Sequence, residues 1–272
     1  MKLVRFGPKG AEKPGLIDSQ GKLRDLSARC GDIRADGLDA LRGLDEASLP
    51  LVEGNPRLGL PLSGIGNLLC IGLNYRDHAA EAGLALPSEP VVFSKHSSAL
   101  AGPYDDLTLP PGSKKSDWEV ELAVVIGRAA WQVPEADALS HVAGYMLAND
   151  LSERDFQIER GGQWIKGKSA PGFCPLGPWL VTADEIPDPQ ALRLWLSVNG
   201  TKRQDGSTAD MVFSVATIVS YLSRFMELQP GDVICTGTPA GVGLGCGIFL
   251  KEGDEMVLGA DGLGEQRIRV KG

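Results

Sequence analysis

One run constrains this chain more than any other: Asp117-Trp118-Glu119-Val120-Glu121-Leu122-Ala123-Val124-Val125-Ile126. Successive residues in a strand point to opposite faces. Val120, Leu122, Val124 and Ile126 fill one face, and Ala123 and Val125 continue the face that begins with Glu119 and Glu121. Residues 119–126 therefore read as a strand buried on both sides, with two carboxylates side by side at one end, about 7 Å apart at Cβ. Carboxylates in that position repel each other and lose hydration. A divalent cation would relieve both costs. Asp150 ends a second apolar stretch, 142–148, and offers a third ligand. An all-oxygen set suits Mg²⁺ or Mn²⁺ and not Zn²⁺, and leaves about three octahedral positions for water and a chelating substrate. Spacing alone leaves a second reading open, in which an edge strand simply turns its glutamates to water.

The 272 residues suffice for one large domain, or a medium domain with an appendage. The abundance of Gly (35) and Pro (18) points to many turns and short strands rather than a helix bundle. Residues 3–6 and 14–18 read as short strands around a turn at 19–21, followed by a short helix at 37–44. The Pro- and Gly-rich stretch 48–66 reads as a linker. The chain is thus expected to comprise a small N-terminal α+β domain over residues 1–60 and a larger domain over 67–272. In the larger part, 68–72 and 192–198 read as strands. Asn74 is the expected N-cap of a short helix stopped at Gly83. The clearest helix is 215–226, capped by Ser214, with Val215, Ile218, Val219, Leu222, Phe225 and Met226 on one face. Pro230-Gly231-Asp232 turns into a strand at 233–236, and 256–270 reads as hairpins. The expected class is α+β, rich in β-structure.

A balance of 27 basic against 35 acidic residues, net −8, makes nucleic acid or an anionic membrane a poor partner. The longest apolar runs are far too short to span a bilayer. Met1–Arg5 lead into no apolar signal segment, and the five cysteines form no CxxC pair. A reduced, cytoplasmic setting is expected. His78 and Glu81 stand at i and i+3 of the predicted helix and share a face. A carboxylate there can hold one ring nitrogen and leave the other to take a proton from water. A solvated surface histidine fits the same spacing. The glycine-rich segment 236–245 completes neither a GxGxxG nor a Lys-Ser/Thr phosphate signature, so it reads as a loop whose amides and Thr238 approach a ligand.

Six segments stand in a telling order: Gly72-Leu73-Asn74-Tyr75-Arg76-Asp77-His78, Phe93-Ser94-Lys95, Glu119-Val120-Glu121-Leu122, Asn149-Asp150-Leu151-Ser152-Glu153-Arg154-Asp155, Lys166-Gly167-Lys168-Ser169, and Thr236-Gly237-Thr238-Pro239-Ala240-Gly241-Val242-Gly243. Each is weak alone. Together, from about Leu68 to the C-terminus, they resemble the fumarylacetoacetate hydrolase superfamily. The resemblance implies a mixed β-sheet/β-roll catalytic domain of the fumarylacetoacetate hydrolase C-terminal kind, usually homodimeric. It implies a Mg²⁺ or Mn²⁺ ion on Glu119, Glu121 and Asp150, and a catalytic His78–Glu81 dyad on a mobile lid. Lys168 would stabilise enolate charge, with the neighbouring Lys166 as its competitor. Arg154 and Gln157 would bind the substrate carboxylate, sharing a face with Asp150 if that segment is helical. Lys95 would add positive charge for an anionic substrate. The opening Met1-Lys2-Leu3-Val4-Arg5-Phe6-Gly7-Pro8 looks like bacterial members related to 2,4-diketo-3-deoxy-L-rhamnonate or L-fuconate hydrolases, often labelled ureidoglycolate lyase.

The resemblance implies hydrolytic cleavage of a carbon–carbon bond in a small anionic 2,4-diketo acid, such as a diketo-deoxy sugar acid, giving pyruvate and a second acid. Acylpyruvate hydrolysis, oxaloacetate decarboxylation, dienedioate isomerisation and ureidoglycolate cleavage share the scaffold, which does not choose between them. A non-catalytic metal-binding protein would be expected to have broken ligands or a broken dyad, and this sequence keeps all of them.

Overall fold

The computed structural model describes all residues, Met1–Gly272. The Val120–Ile126 strand is buried along its whole length and lies near the middle of a nine-stranded mixed sheet. From one edge, the order is Leu23–Asp25, Lys13–Ile17, Lys2–Phe6, Leu180–Thr182, Val142–Asn149, Val120–Ile126, Val233–Cys235, Leu68–Gly72 and Val91–Ser94. A second, five-stranded sheet contains Arg193–Val198, Thr201–Ser207 and the hairpin Glu255–Ala260/Gly264–Lys271. Helices are few and short, so the α+β, strand-rich class read from the sequence is the one observed. No helix is long and apolar enough to cross a membrane.

The N-terminal strands continue the main sheet, with Lys2 opposite Val181 and Leu3 opposite Leu180. One apolar core runs from Leu3 and Leu16 to Ile268 and Val270. The boundary expected near residue 60 therefore falls within a shared sheet and core. The predicted helix at 37–44 is a 3-10 turn at Ala35–Leu41.

Register places the polar ends of the central strands together. Glu121 pairs with Ala148 and Val120 with Asn149, so Asp150 follows directly beside the glutamates. Cys235 lies antiparallel to Ala123 and parallel to Cys70. Thr236–Thr238 and the residues from Leu73 onward consequently leave the sheet at the same end. A pocket opens where these strands stop, framed by three chain exits and a strand entrance.

Two local expectations are corrected. Asn74 does not cap the helix: α1 spans Arg76–Glu81 with Tyr75 at the cap position. The Asn74 amide is instead buried as a cross-link, donating to Phe213 O at 3.1 Å and Thr236 O at 2.8 Å and accepting from Phe213 N at 2.8 Å. Gly83 does stop the helix region in the left-handed conformation, φ +67°. The helix expected at 215–226 spans Val215–Leu222, with Ser214 capping as expected. It ends early because Ser223 bonds the neighbouring loop, accepting from Gln132 N and Val133 N. Phe225, expected on the buried face, is thereby left 63% exposed.

Truncating Asn74 would leave two buried carbonyls and one amide without partners. Asn74→Ala should cost about 2–3 kcal/mol, a fall in melting temperature of roughly 4–10 °C. Thermal unfolding measures this, and an unchanged midpoint would show the cross-link to be dispensable.

Candidate active site and metal centre

The site begins with the end of the Val120–Ile126 ladder. Beyond Val120 the backbone needs new partners, and side chains supply them. Val120 N donates to Gln204 Oε1 at 2.9 Å, and Val120 O accepts from Thr238 Oγ1 at 2.8 Å. Glu119 N donates to Asn149 Oδ1 at 3.0 Å. With the backbone fixed, Glu119 and Glu121 project into the same space as Asp150. Their carboxylate oxygens lie within 4.8 Å of one another, and all three residues are buried.

Such a cluster cannot stay charged without cations. Lys168 Nζ donates to Glu119 Oε2 at 2.6 Å and Asp150 Oδ2 at 2.8 Å. Arg154 donates to Glu119 Oε1 at 2.6 Å, to Asp117 Oδ2 at 2.8 Å and to Gln157 Oε1 at 3.0 Å. Lys95 pairs with the other oxygen of Asp150 and donates to Leu151 O at 3.0 Å. Burial opposes charge on Glu119, but Arg154 and Lys168 outweigh it and hold this carboxyl well below the usual range. Glu121 goes the other way. Burial, then the charges of Asp150 and Glu119, push its carboxyl well up, against the weaker help of Lys168 and the Gly237 amide. Lys168 is pulled towards neutrality by burial, yet Asp150 and Glu119 hold it firmly charged.

This donor set fits a divalent cation. It consists of three buried oxygen ligands, one of which is driven towards its protonated form when no cation is present. Glu119, Glu121 and Asp150 are the residues that would hold it.

The predicted dyad is in place on α1. His78 Nδ1 lies 3.2 Å from Glu81 Oε2, and His78 lines the same cavity as Glu119 and Glu121. Glu81 is anchored by Gly241 N, which donates to Oε1 at 3.0 Å, and Asp77 accepts from Ala240 N at 3.2 Å.

Other expected residues take different places. Lys95 does not face the cavity; its ammonium is fully buried behind Asp150. Arg154 and Gln157 do line the cavity, but no helix joins them to Asp150. The strand Ser152–Glu153 intervenes, and a π-helical turn begins only at Asp155. Amides of the glycine-rich loop serve the protein's own carboxylates: Gly237 N reaches Glu121 Oε2 at 2.8 Å, while Gly243 N and Leu244 N reach Asp117. Thr238 lines the cavity while bonded to Val120 O and Gln204. Lys166 points away and bonds Arg160 O, leaving Lys168 as the lysine of the site. Cys70, Cys174 and Cys235 are buried. Burial raises the Cys70 thiol to about 11, so it packs as a neutral group.

Sequence reasoning missed Asp117 and Gln204. Asp117 is fully buried and joins Arg154 to the glycine-rich loop. Its alternation with Glu119 and Glu121 was available as a signal. Gln204 sits in the polar strand Thr201–Ser207, distant in sequence, where no local pattern marks it.

Glu121→Gln reproduces the shape of the protonated carboxyl without its ability to bind a cation. Folding raises this carboxyl above its ordinary value of 4.5, so the folded chain keeps a proton that the unfolded chain releases as pH rises past that value. Its contribution to metal-free stability therefore falls with rising pH. The variant should melt within a few degrees of wild type without metal, with a flatter pH dependence above pH 5. It should also lose the Mn²⁺-induced stabilisation, about 2.7 kcal/mol for wild type at 100 times Kd. Calorimetry with and without Mn²⁺ checks both, and a variant still stabilised by Mn²⁺ would remove Glu121 from the ligand set.

The model for the C-terminal region of fumarylacetoacetate (FAA) hydrolase matches residues 67–271. A protein of Burkholderia ambifaria, provisionally named a hydrolase, is 57% identical over 274 residues, which cover 98% of this chain and 97% of that protein. Fumarylacetoacetate hydrolase from psychrophilic Exiguobacterium antarcticum is similar at TM-score 0.88 and 36% identity, covering 100% of this chain and 99% of that one. Maleylpyruvate hydrolase from Sphingobium sp. SYK-6 is similar at TM-score 0.84 and 30% identity, with 100% and 99% covered. The buried carboxylate cluster stands within the matched region, and the chain belongs to the fumarylacetoacetate hydrolase family.

Proposed function

We propose that this chain is a Mg²⁺- or Mn²⁺-dependent hydrolase that cleaves a carbon–carbon bond of a small 2,4-diketo acid to give pyruvate and a second acid. One observation carries the reading: Glu119, Glu121, His78 and a buried, charged lysine line a single cavity, with Asp150 completing the carboxylate cluster beneath it and Glu81 bonded to His78. A divalent ion held by Glu119, Glu121 and Asp150 supplies positive charge that polarises a bound carbonyl and favours an enolate.

The residues of the chain account for the proton movements. Glu81 accepts from His78 Nδ1, which leaves the second ring nitrogen to take a proton from water. Gly241 N holds Glu81 in turn, so the base is oriented only when α1 sits on the glycine-rich loop. The oxygen of that water bonds to C4 and the C3–C4 bond breaks. Its electron pair passes to the pyruvate enolate, and C3 later regains a proton. Lys168, buried and cationic, stands where enolate charge would be stabilised. Arg154 and Gln157 would bind the substrate carboxylate once the Arg154 contact to Glu119 is exchanged. Lys95 acts behind Asp150, orienting it rather than touching substrate. The same reading carries over the family's homodimer and a cytoplasmic setting. A diketo-deoxy sugar acid, as the opening residues suggest, is one member of the substrate class.

Chelator-stripped protein should release no pyruvate from a 2,4-diketo acid, and Mg²⁺ or Mn²⁺ should restore release. His78→Ala should lower kcat by about 10²–10⁴-fold with Mn²⁺ affinity unchanged. Near-full activity of that variant would remove His78 from the mechanism. Metal-independent glyoxylate release from ureidoglycolate, without pyruvate from any diketo acid, would overturn the proposal.

A further inference from the structure

The cavity has two unlike ends. Its floor holds the cationic groups that the proposed reaction needs, and each is already paired: Lys168 with Glu119 and Asp150, Arg154 with Asp117 and Glu119. Of the hydroxyl and amide side chains of the lining, Thr238 is buried and bonded to Val120 O, and Gln157 is buried with its oxygen accepting from Arg154. The mouth is different. Leu84, Ile158 and Leu244 line it and are about half exposed, at 53%, 51% and 44%. Leu73 and Trp164 also line the cavity and are half-buried. His78 apart, the outer half presents no charged or hydroxyl side chain.

Leu73 carries a second signal. Its φ is +54°, in the left-handed region that a branched side chain occupies only at a cost. Its neighbours hold it there. A Cβ at Gly72 would lie 2.7 Å from Trp164, and the Asn74 amide is bonded on both its polar atoms. A strained leucine kept at a cavity wall indicates that its side chain is used there.

We infer that the outer half is a hydrocarbon subsite, and that the group attached at C4 of the substrate is a short alkyl chain. This rests on the diketo-acid reading above and narrows it. A polyhydroxy tail would leave hydroxyls unpaired against leucine and isoleucine. A second carboxylate, such as maleylpyruvate carries, would lose part of its hydration against these side chains with no cation to meet it. An alkyl tail gains by covering Leu84, Ile158 and Leu244. Size limits it as well: the cavity encloses about 150 Å³, a space that in protein interiors takes a solute the size of benzene. The diketo-acid core fills most of that volume, and only a short tail reaches the mouth.

The test uses full-length protein loaded with Mn²⁺ and four 2,4-diketo acids differing only beyond C4, with methyl, propyl, polyhydroxypropyl and carboxyethyl groups. The propyl acid should show kcat/KM at least about tenfold above the polyhydroxy and carboxyethyl acids. Equal or faster turnover of either polar acid would overturn the subsite while leaving the reaction standing. No pyruvate from any of the four would overturn the reaction and the subsite with it. Two variants separate a specificity role from a structural one. Ile158→Lys should shift the carboxyethyl-to-propyl ratio of kcat/KM upward by about tenfold or more. Leu73→Gly relaxes the backbone, so its melting temperature should not fall, while KM for the propyl acid rises severalfold with little change in kcat. An unchanged ratio in the first, or a loss confined to kcat in the second, would contradict the assignment.

Discussion

Like charges closed into a small buried space must be compensated, and the architecture of this protein follows from how that is done. Glu119, Glu121 and Asp150 bring their oxygens within 4.8 Å of one another in the interior. Lys168 and Arg154 lean on them from the cavity side, and Lys95 supports Asp150 from behind. The compensation is uneven. Glu119 receives two cations and stays charged, whereas Glu121 receives a single backbone amide and is pushed towards its protonated form. A site left in that state is short of positive charge beside Glu121, the position a divalent cation would complete. Removing Arg154 would strand buried Asp117, whose other partners are backbone amides, a change that in proteins costs about 3–5 kcal/mol.

The same logic organises the loops. Glycine-rich loops with free amides make anion sites, but here the amides of Gly237, Gly241, Gly243 and Leu244 are taken by Glu121, Glu81 and Asp117. The loop thus acts as a clamp. It joins a metal-ligand candidate, the dyad and the Arg154 partner, so that docking of α1 and ordering of the cavity become one event. Gly241 has to be glycine, because φ is +103° and a Cβ would lie 1.9 Å from Arg203 O. Asn74 ties the start of α1 to the first residue of that loop. Strand register, loop amides and dyad geometry therefore share one set of supports.

Much of this was legible in the chain. The Val120–Ile126 strand announced its double burial through apolar residues on both faces, and the i, i+3 spacing of His78 and Glu81 placed them in contact. Alternation and helical periodicity are local properties, so local sequence carries them. What was misread depends on partners far away in sequence. Asn74 has the chemistry of an N-cap, yet its amide is claimed by Phe213 and Thr236. Arg154 and Gln157 matched a helical spacing from Asp150, but Ser152–Glu153 pairs with Ser116–Asp117 as a strand, and the chain reaches the same cavity by another path. Lys95 was expected at the substrate and lies behind a carboxylate, since no sequence pattern states which side of Asp150 a lysine approaches from. Nothing local marks Gln204 as the partner of Val120 N.

The central claim is that the Glu119–Glu121–Asp150 cluster is built for a divalent cation, with Lys168 and Arg154 carrying the compensating charge otherwise. Crystals grown with Mn²⁺, measured at the manganese absorption edge, test it most directly. One strong anomalous peak is expected among the three carboxylates, with Lys168 drawn away from Glu119. No peak at saturating Mn²⁺, with Lys168 still bridging Glu119 and Asp150, would show that the cluster is a self-contained salt-bridge network and not a metal site.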